Sequence, residues 1–150
     1  MLHESVIYRH IVLTVPAVLR TSLYRNAHVL LSPFMPCGVR CLDEVFRRRS
    51  GRPLKGGYTV VVQTHGRNGQ YNPHLHSIAT SGGLDTQASE WVHLDSLPYP
   101  RLRKKWRWYV LTMLRQTVKT TEINRLVALC YTRYHNGFVT NVHKGDVPSR

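Results

Sequence analysis

The stretch Tyr58–Gly83, YTVVVQTHGRNGQYNPHLHSIATSGG, decides the fold. Its opening, YTVVVQTH, carries three consecutive valines among other β-formers and predicts a strand. Gly66-Arg67-Asn68-Gly69-Gln70 is a polar turn, because glycine and asparagine tolerate the backbone angles that a reversal demands. A second strand runs from His74 to Thr80 and ends at Ser81-Gly82-Gly83. Two strands so closely joined pair as antiparallel neighbours. In the second strand, residues two apart share a face, so His74 and His76 present two imidazoles side by side while Leu75 points the other way, into the core. Two neutral imidazoles on a rigid strand can hold one divalent cation only if a third ligand arrives from another element. Gln63 and His65, on a common face of the neighbouring strand, are the candidates.

Outward from this pair, Ile7 to Val15 places apolar residues on both faces and reads as an inner strand. Pro16 stops it and suits a first helical turn. Leu19, Leu23, Ala27, Leu30 and Leu31 recur at helical spacing, and Ser32-Pro33 predicts a restart as cap and first residue of a second helix. Its stripe of Phe34, Cys37, Cys41, Leu42, Val45 and Phe46 ends in Arg47-Arg48-Arg49, before a loop of Gly51, Pro53, Gly56 and Gly57. Trp91 to Leu94 is a short edge strand. Leu102, Trp106, Val110, Met113, Leu114 and Val118 form one helical face, and Thr121 caps a further helix striped by Ile123, Leu126, Val127, Cys130, Tyr131 and Tyr134. His135-Asn136-Gly137 breaks that helix, and Phe138 to Val142 is a last strand. The order predicts an α+β fold: a central, mostly antiparallel sheet with helices on one face.

At 150 residues the chain is one domain's worth of sequence, with a single core. Charge is its outlier: 21 Lys and Arg against 8 Asp and Glu leave +13, which points to polyanionic partners. Arg101, Arg103, Lys104, Lys105 and Arg107 crowd one helix that also carries Trp106, Trp108 and Tyr109, so charge on a nucleic-acid backbone and stacking on its bases could be met together. The plainer alternative is a solvated basic face with Trp106 in the core and Trp108 outside it. No apolar run approaches the roughly 18 residues that cross a bilayer. The opening Met1-Leu2-His3-Glu4-Ser5 lacks a secretory pattern, and the expected compartment is the cytoplasm. Three cysteines, Cys37, Cys41 and Cys130, form no paired framework. Cys37 and Cys41 lie on an apolar helical stripe and read as buried thiols rather than zinc ligands.

The run Thr64–Gly83 resembles the signature block of the HUH-type rolling-circle transposases of insertion sequences, in the subgroup that cuts DNA with a pair of tyrosines. The matching residues are Thr64-His65-Gly66, then Gln70-Tyr71-Asn72-Pro73-His74-Leu75-His76, then Gly82-Gly83. Tyr8 to Pro16 resembles the family's first strand, and Asn136 to Val142 with Lys144-Gly145 a later one. The resemblance implies an HUH endonuclease-like fold with His74 and His76 on a central strand, binding Mg²⁺ or Mn²⁺. It also implies single-stranded DNA as partner, and attack by a tyrosine hydroxyl that leaves a 5′-phosphotyrosine link and a free 3′-OH. In the family the two tyrosines are four apart on a helix after the last matched strand. Here no tyrosine follows Tyr134, and Asp146 to Arg150 stand where that helix would begin. Tyr131 and Tyr134 are the weak stand-ins; they are three apart, precede the last strand and sit on an apolar stripe, which favours core packing. The cysteine-rich zinc module that often precedes the family's domain is missing as well, since no C-x-x-C pair precedes Tyr8. The expectation is one transposase core domain over 1–150, cut short before the nucleophile helix and unable to cleave DNA alone. A basic nucleic-acid-binding module without catalysis would explain the charge but not His74 and His76. A small-molecule metallohydrolase would want more carboxylates than eight.

Overall fold

Leu75 and Ala79 are fully buried while His74, His76 and Ile78 between and beside them are half-buried, the alternation of a strand with one covered face. The computed structural model describes residues 7–143. In chain order they form β1 (Tyr8–Leu13), α1 (Ala17–Arg25), α2 (Ala27–Ser50), β2 (Leu54–Lys55), β3 (Tyr58–His65) and β4 (Tyr71–Thr80). After these come β5 (Gly82–Asp85), β6 (Glu90–His93), α3 (Tyr99–Thr117), α4 (Thr121–Arg133) and β7 (Thr140–His143). The main sheet has the order β3-β4-β1-β7, antiparallel throughout, so β4 lies inside the sheet between β3 and β1. Leu13 pairs with Leu75 and Ile11 with Ser77. These residues look toward the helices, where Leu19, Phe34, Leu42, Trp106 and Val127 join Ile11, Leu13 and Leu75 in one core. Trp106 ties α3 to the end of β1 by donating its indole N–H to the Thr14 carbonyl at 2.7 Å. The α+β expectation, helices on one side of an antiparallel sheet, is what the chain adopts.

The boundary between the first two helices departs from the sequence reading. The break falls at Asn26, not at Ser32-Pro33, and α2 runs unbroken through Pro33 and Pro36. Asn26 ends α1 by donating its side-chain amide to the Ser22 carbonyl at 2.9 Å, and its own carbonyl accepts from the amides of Val29 and Leu30. A proline inside a helix removes one backbone bond. Leu30, Phe34 and Cys37, all buried, hold this stretch in the helix regardless.

The second strand ends at Thr80, before Ser81-Gly82-Gly83, as the sequence predicts. There the chain crosses from β4 into β5, the middle strand of a second sheet of order β2-β5-β6. Gly82 has φ +123°, and a Cβ on it would lie 2.0 Å from the Val92 carbonyl oxygen; one on Gly83 would lie 2.8 Å from the Lys55 carbonyl. Only glycine fits where two strands flank the crossing so closely. Two smaller shifts follow. Thr120, not Thr121, caps α4 by accepting from the Ile123 amide at 3.2 Å, and the last strand starts at Thr140 rather than Phe138.

Candidate metal and nucleic-acid site

The uncovered face of the main sheet carries His74 and His76 from β4. Gln63 of β3 pairs directly with His74, Val61 with His76, and on the other side Val12 of β1 pairs with His76. The His74 and His76 ring centroids lie 5.0 Å apart. Val61 is 52% exposed, and a cleft of about 280 Å³ opens between His10, Thr59, Val61, His76 and Ile78. The face is therefore open to a large ligand.

Each imidazole is anchored at one nitrogen. Nδ1 of His74 lies 2.6 Å from the Asn72 carbonyl. A carbonyl can only accept, so this nitrogen carries the proton, and in the neutral ring Nε2 keeps its lone pair. That Nε2 faces Oε1 of Gln63 at 3.2 Å. Two acceptors so placed repel unless the amide turns over to donate or a cation lies between them. Neighbouring ligands at 2.0–2.1 Å from an octahedral Mg²⁺ lie about 3 Å apart, so the pair fits a shared cation. Nδ1 of His76 is 3.0 Å from Nε2 of His10, whose ring stacks on it at a centroid distance of 5.2 Å. Hydrogen bonds of this kind fix the orientation and tautomer of metal-ligating histidines. Among the described residues no three His, Cys, Asp or Glu side chains are placed to hold one metal ion, so the candidate donor set is two imidazoles and an amide oxygen.

His65, the other candidate third ligand, is not brought to this pair. A bulge between Gln63 and His65 shifts the register so that His65 stands opposite Tyr71. Its ring meets the Tyr71 ring edge-on at 5.6 Å, and its Nδ1 lies 2.8 Å from the Thr64 hydroxyl. The extra residue of a bulge re-aims the side chains beyond it. His10 took no role in the sequence reading. The signal was its place on the even face of the first strand, but only the pairing of β1 with β4 gives that face a meaning.

The remaining candidates lie elsewhere. Tyr131 packs beneath the Arg107 guanidinium, 4.9 Å from its ring centre, and Tyr134 meets Phe138 edge-on at 5.7 Å. Their ring contacts are thus with the α3 and β7 ends of the core rather than with the histidines. On α3, Arg101, Arg103 and Lys104 are exposed. Lys105 pairs with Glu44 of α2 at 2.9 Å and lies 5.7 Å over the Trp108 ring, which is itself exposed. Arg107 donates to the Tyr134 carbonyl at 2.7 Å. A groove of about 600 Å³ opens along Arg101, Lys104, Lys105 and Trp108 on the helical side of the molecule. Trp106 is in the core and Trp108 is not, as its helical position predicts. Cys37, Cys41 and Cys130 are free and buried, and burial pushes each thiol up, Cys130 to about 11, so none is a ready thiolate.

An antiparallel sheet with helices on one face and a histidine pair on the other now has relatives to set it against. Residues 57–144 match the Y2_Tnp family model, described as "Putative transposase", and the chain belongs to that family. It is 31% identical over 103 residues to the transposase for insertion sequence element IS801 of Pseudomonas savastanoi pv. phaseolicola, a match covering 69% of this chain and 24% of that protein. It is 24% identical over 85 residues to the putative transposase y4qJ of Sinorhizobium fredii, covering 57% of this chain and 21% of that one. The matched part is thus under a quarter of the length of either relative. No solved structure matches. Among the described residues no helix is long and apolar enough to cross a membrane.

Proposed function

We propose that this chain is the metal-binding core of an HUH-type, rolling-circle transposase, in which His74, His76 and Gln63 hold Mg²⁺ or Mn²⁺ at a phosphate of single-stranded DNA. The observation that carries this is the approach of the Gln63 amide oxygen to Nε2 of His74, the nitrogen not held by the Asn72 carbonyl, on an open sheet face. A divalent cation held there supplies Lewis acidity and a template for the phosphodiester. The chain's own residues do the rest. The Asn72 carbonyl and the His10 ring hold the two imidazoles in place. Leu75, locked in the core between them, keeps their strand rigid. The exposed Val61 and the cleft beside His10 and His76 leave room for a strand of DNA to lie along this face. No nucleophile is assigned: the rings of Tyr131 and Tyr134 pack against Arg107 and Phe138, and on this reading residues 1–150 bind metal and DNA without cutting it.

A second reading, a basic nucleic-acid-binding module that needs no metal, is favoured by the groove along Arg101, Lys104 and Trp108. Calorimetric titration of Mn²⁺ separates the two. On the first reading, the wild type binds one Mn²⁺ and His74→Ala/His76→Ala binds none. Equal, negligible binding by both sinks the metal site and leaves the module. Incubation with single strands and Mn²⁺ on a denaturing gel gives no covalent adduct; an adduct lost in Tyr131→Phe or Tyr134→Phe would restore a tyrosine nucleophile.

A further inference from the structure

The metal site uses only part of the sequence block that predicts it. Thr64-His65-Gly66 and Gln70-Tyr71 stand outside the set of Gln63, His74 and His76, yet the fold brings two of their rings together. His65 lies opposite Tyr71 at the turn end of the β3–β4 hairpin, one step beyond the pairing of Gln63 with His74. Its ring meets the Tyr71 ring edge-on at 5.6 Å, and Tyr24, near the end of α1, meets the same ring edge-on at 5.2 Å. Three elements thus build one row of rings. Tyr24 is 65% exposed and His65 is exposed as well, while Tyr71, which touches both, is half-buried. Buried Leu19 and Leu23 fix the helix from which Tyr24 projects. A ring already held at its edge has little freedom left to lose when a ligand stacks on its open face.

The charge around this row has one sign. No Asp or Glu occurs between Glu4 and Asp43, or between Glu44 and Asp85, so α1 and the β3–β4 hairpin carry no carboxylate. Arg25 follows Tyr24, and Arg67 lies in the turn after His65. Both are exposed, and among the described residues neither forms an ion pair. Open rings framed by free cations suit a nucleic acid whose bases are unpaired, since phosphates meet the arginines while base faces meet the rings. A duplex keeps its base faces to itself. Along β4, Tyr71 and His74 are three residues apart, about 10 Å of strand, so the row and the histidines fall within reach of one short stretch of DNA. We infer that Tyr24, Tyr71 and His65 form a stacking platform for unpaired bases next to the phosphate presented at His74 and His76, with Arg25 and Arg67 on the backbone. The inference deepens the single-stranded-DNA function proposed above and depends on it.

Fluorescence anisotropy with the full chain and Mn²⁺ tests it, using labelled oligo(dT) and an abasic strand of equal length. Tyr24→Ala should weaken oligo(dT) binding about tenfold and leave the abasic strand unchanged, because only the first strand has bases to stack. Tyr24→Phe keeps the ring and should bind as the wild type does. His65→Ala, at the other end of the row, should weaken oligo(dT) in the same sense, and it decides the matter if Tyr24→Ala melts early. Arg25→Ala/Arg67→Ala should weaken both strands alike and flatten the salt slope by about 1.4. Equal loss on both strands in Tyr24→Ala, or a loss in Tyr24→Phe, would make Tyr24 a backbone contact and overturn the platform. Oligo(dT) binding that no ring variant alters overturns the platform and leaves single-strand binding standing. If the wild type binds neither strand, the proposed function itself fails and takes the platform with it.

Discussion

At the scale of single residues, the site turns on which nitrogen of His74 is occupied. With Nδ1 held at 2.6 Å by the Asn72 carbonyl, Nε2 is the nitrogen left for a ligand, and Gln63 is the group beside it. Gln63→Ala should therefore weaken Mn²⁺ binding roughly ten- to a hundredfold, the range in which removal even of outer-shell partners acts. Gln63→Glu should restore or tighten it, since a carboxylate oxygen is the harder and charged donor. His65→Ala should change nothing, because its ring belongs to Tyr71. Titration calorimetry on the three variants checks this, and equal losses for Gln63→Ala and His65→Ala would remove Gln63 from the ligand set. The sequence could reach His74 and His76 because the period of a strand is local. It could not choose between Gln63 and His65, since a bulge separates them in register without any glycine or proline to announce it. Nor could it find His10, which meets His76 across 66 residues of chain.

At the scale of elements, the histidine face is flat and stable only because the other face is filled. Trp106 is the largest fully buried side chain there, it packs against Phe34 at 5.7 Å, and it hydrogen-bonds the carbonyl of Thr14, next to the end of β1. Trp106→Ala should cost about 3–5 kcal/mol, by lost contacts and the cavity left behind. Trp106→Phe keeps most of the ring and loses the N–H, leaving the Thr14 carbonyl one partner short, and should cost only about 1–3 kcal/mol. Urea unfolding followed by circular dichroism reads both, and a cost for Trp106→Phe as large as for Trp106→Ala would mean that the hydrogen bond, not the burial, holds α3 to β1. The stripe of α3 was legible because apolar residues at helical spacing announce what they bury. The run through Pro33 was not, because proline is a stop signal locally and loses to Leu30, Phe34 and Cys37 only once the sheet is there to pack against. The strand end at Ser81-Gly82-Gly83 was legible, but not the second sheet beyond it: here the glycines make room for the backbones of Val92 and Lys55, which come from distant segments.

At the scale of the whole molecule, a net charge of +13 acts on any polyanion, but its effect on binding depends on which cations are still free to pair with phosphate. Lys105 is engaged by Glu44, and Arg107 by the Tyr134 carbonyl and the Tyr131 ring. That leaves Arg101 and Lys104 exposed along the groove beside Trp108, with Arg103 exposed on the same helix outside the groove, on the opposite side of the sheet from the histidines. Each phosphate neutralised on a single strand contributes about −0.7 to the slope of log affinity against log salt, so replacing all three by alanine should flatten that slope by about 2. Lys105→Ala with Arg107→Ala should flatten it less and lower the melting temperature more, because those side chains join α3 to α2 and α4. Anisotropy over a salt series measures the slope, and an unchanged slope in the triple variant would take α3 out of the interface. The sheet between the two faces adds a further requirement. Because α3 packs against α2, α4 and β7 rather than chiefly on the strand that carries His74 and His76, the triple variant should keep wild-type Mn²⁺ affinity, and His74→Ala/His76→Ala should keep the wild-type salt slope measured without metal. Losses that travel together in both variants would mean that one face cannot act without the other.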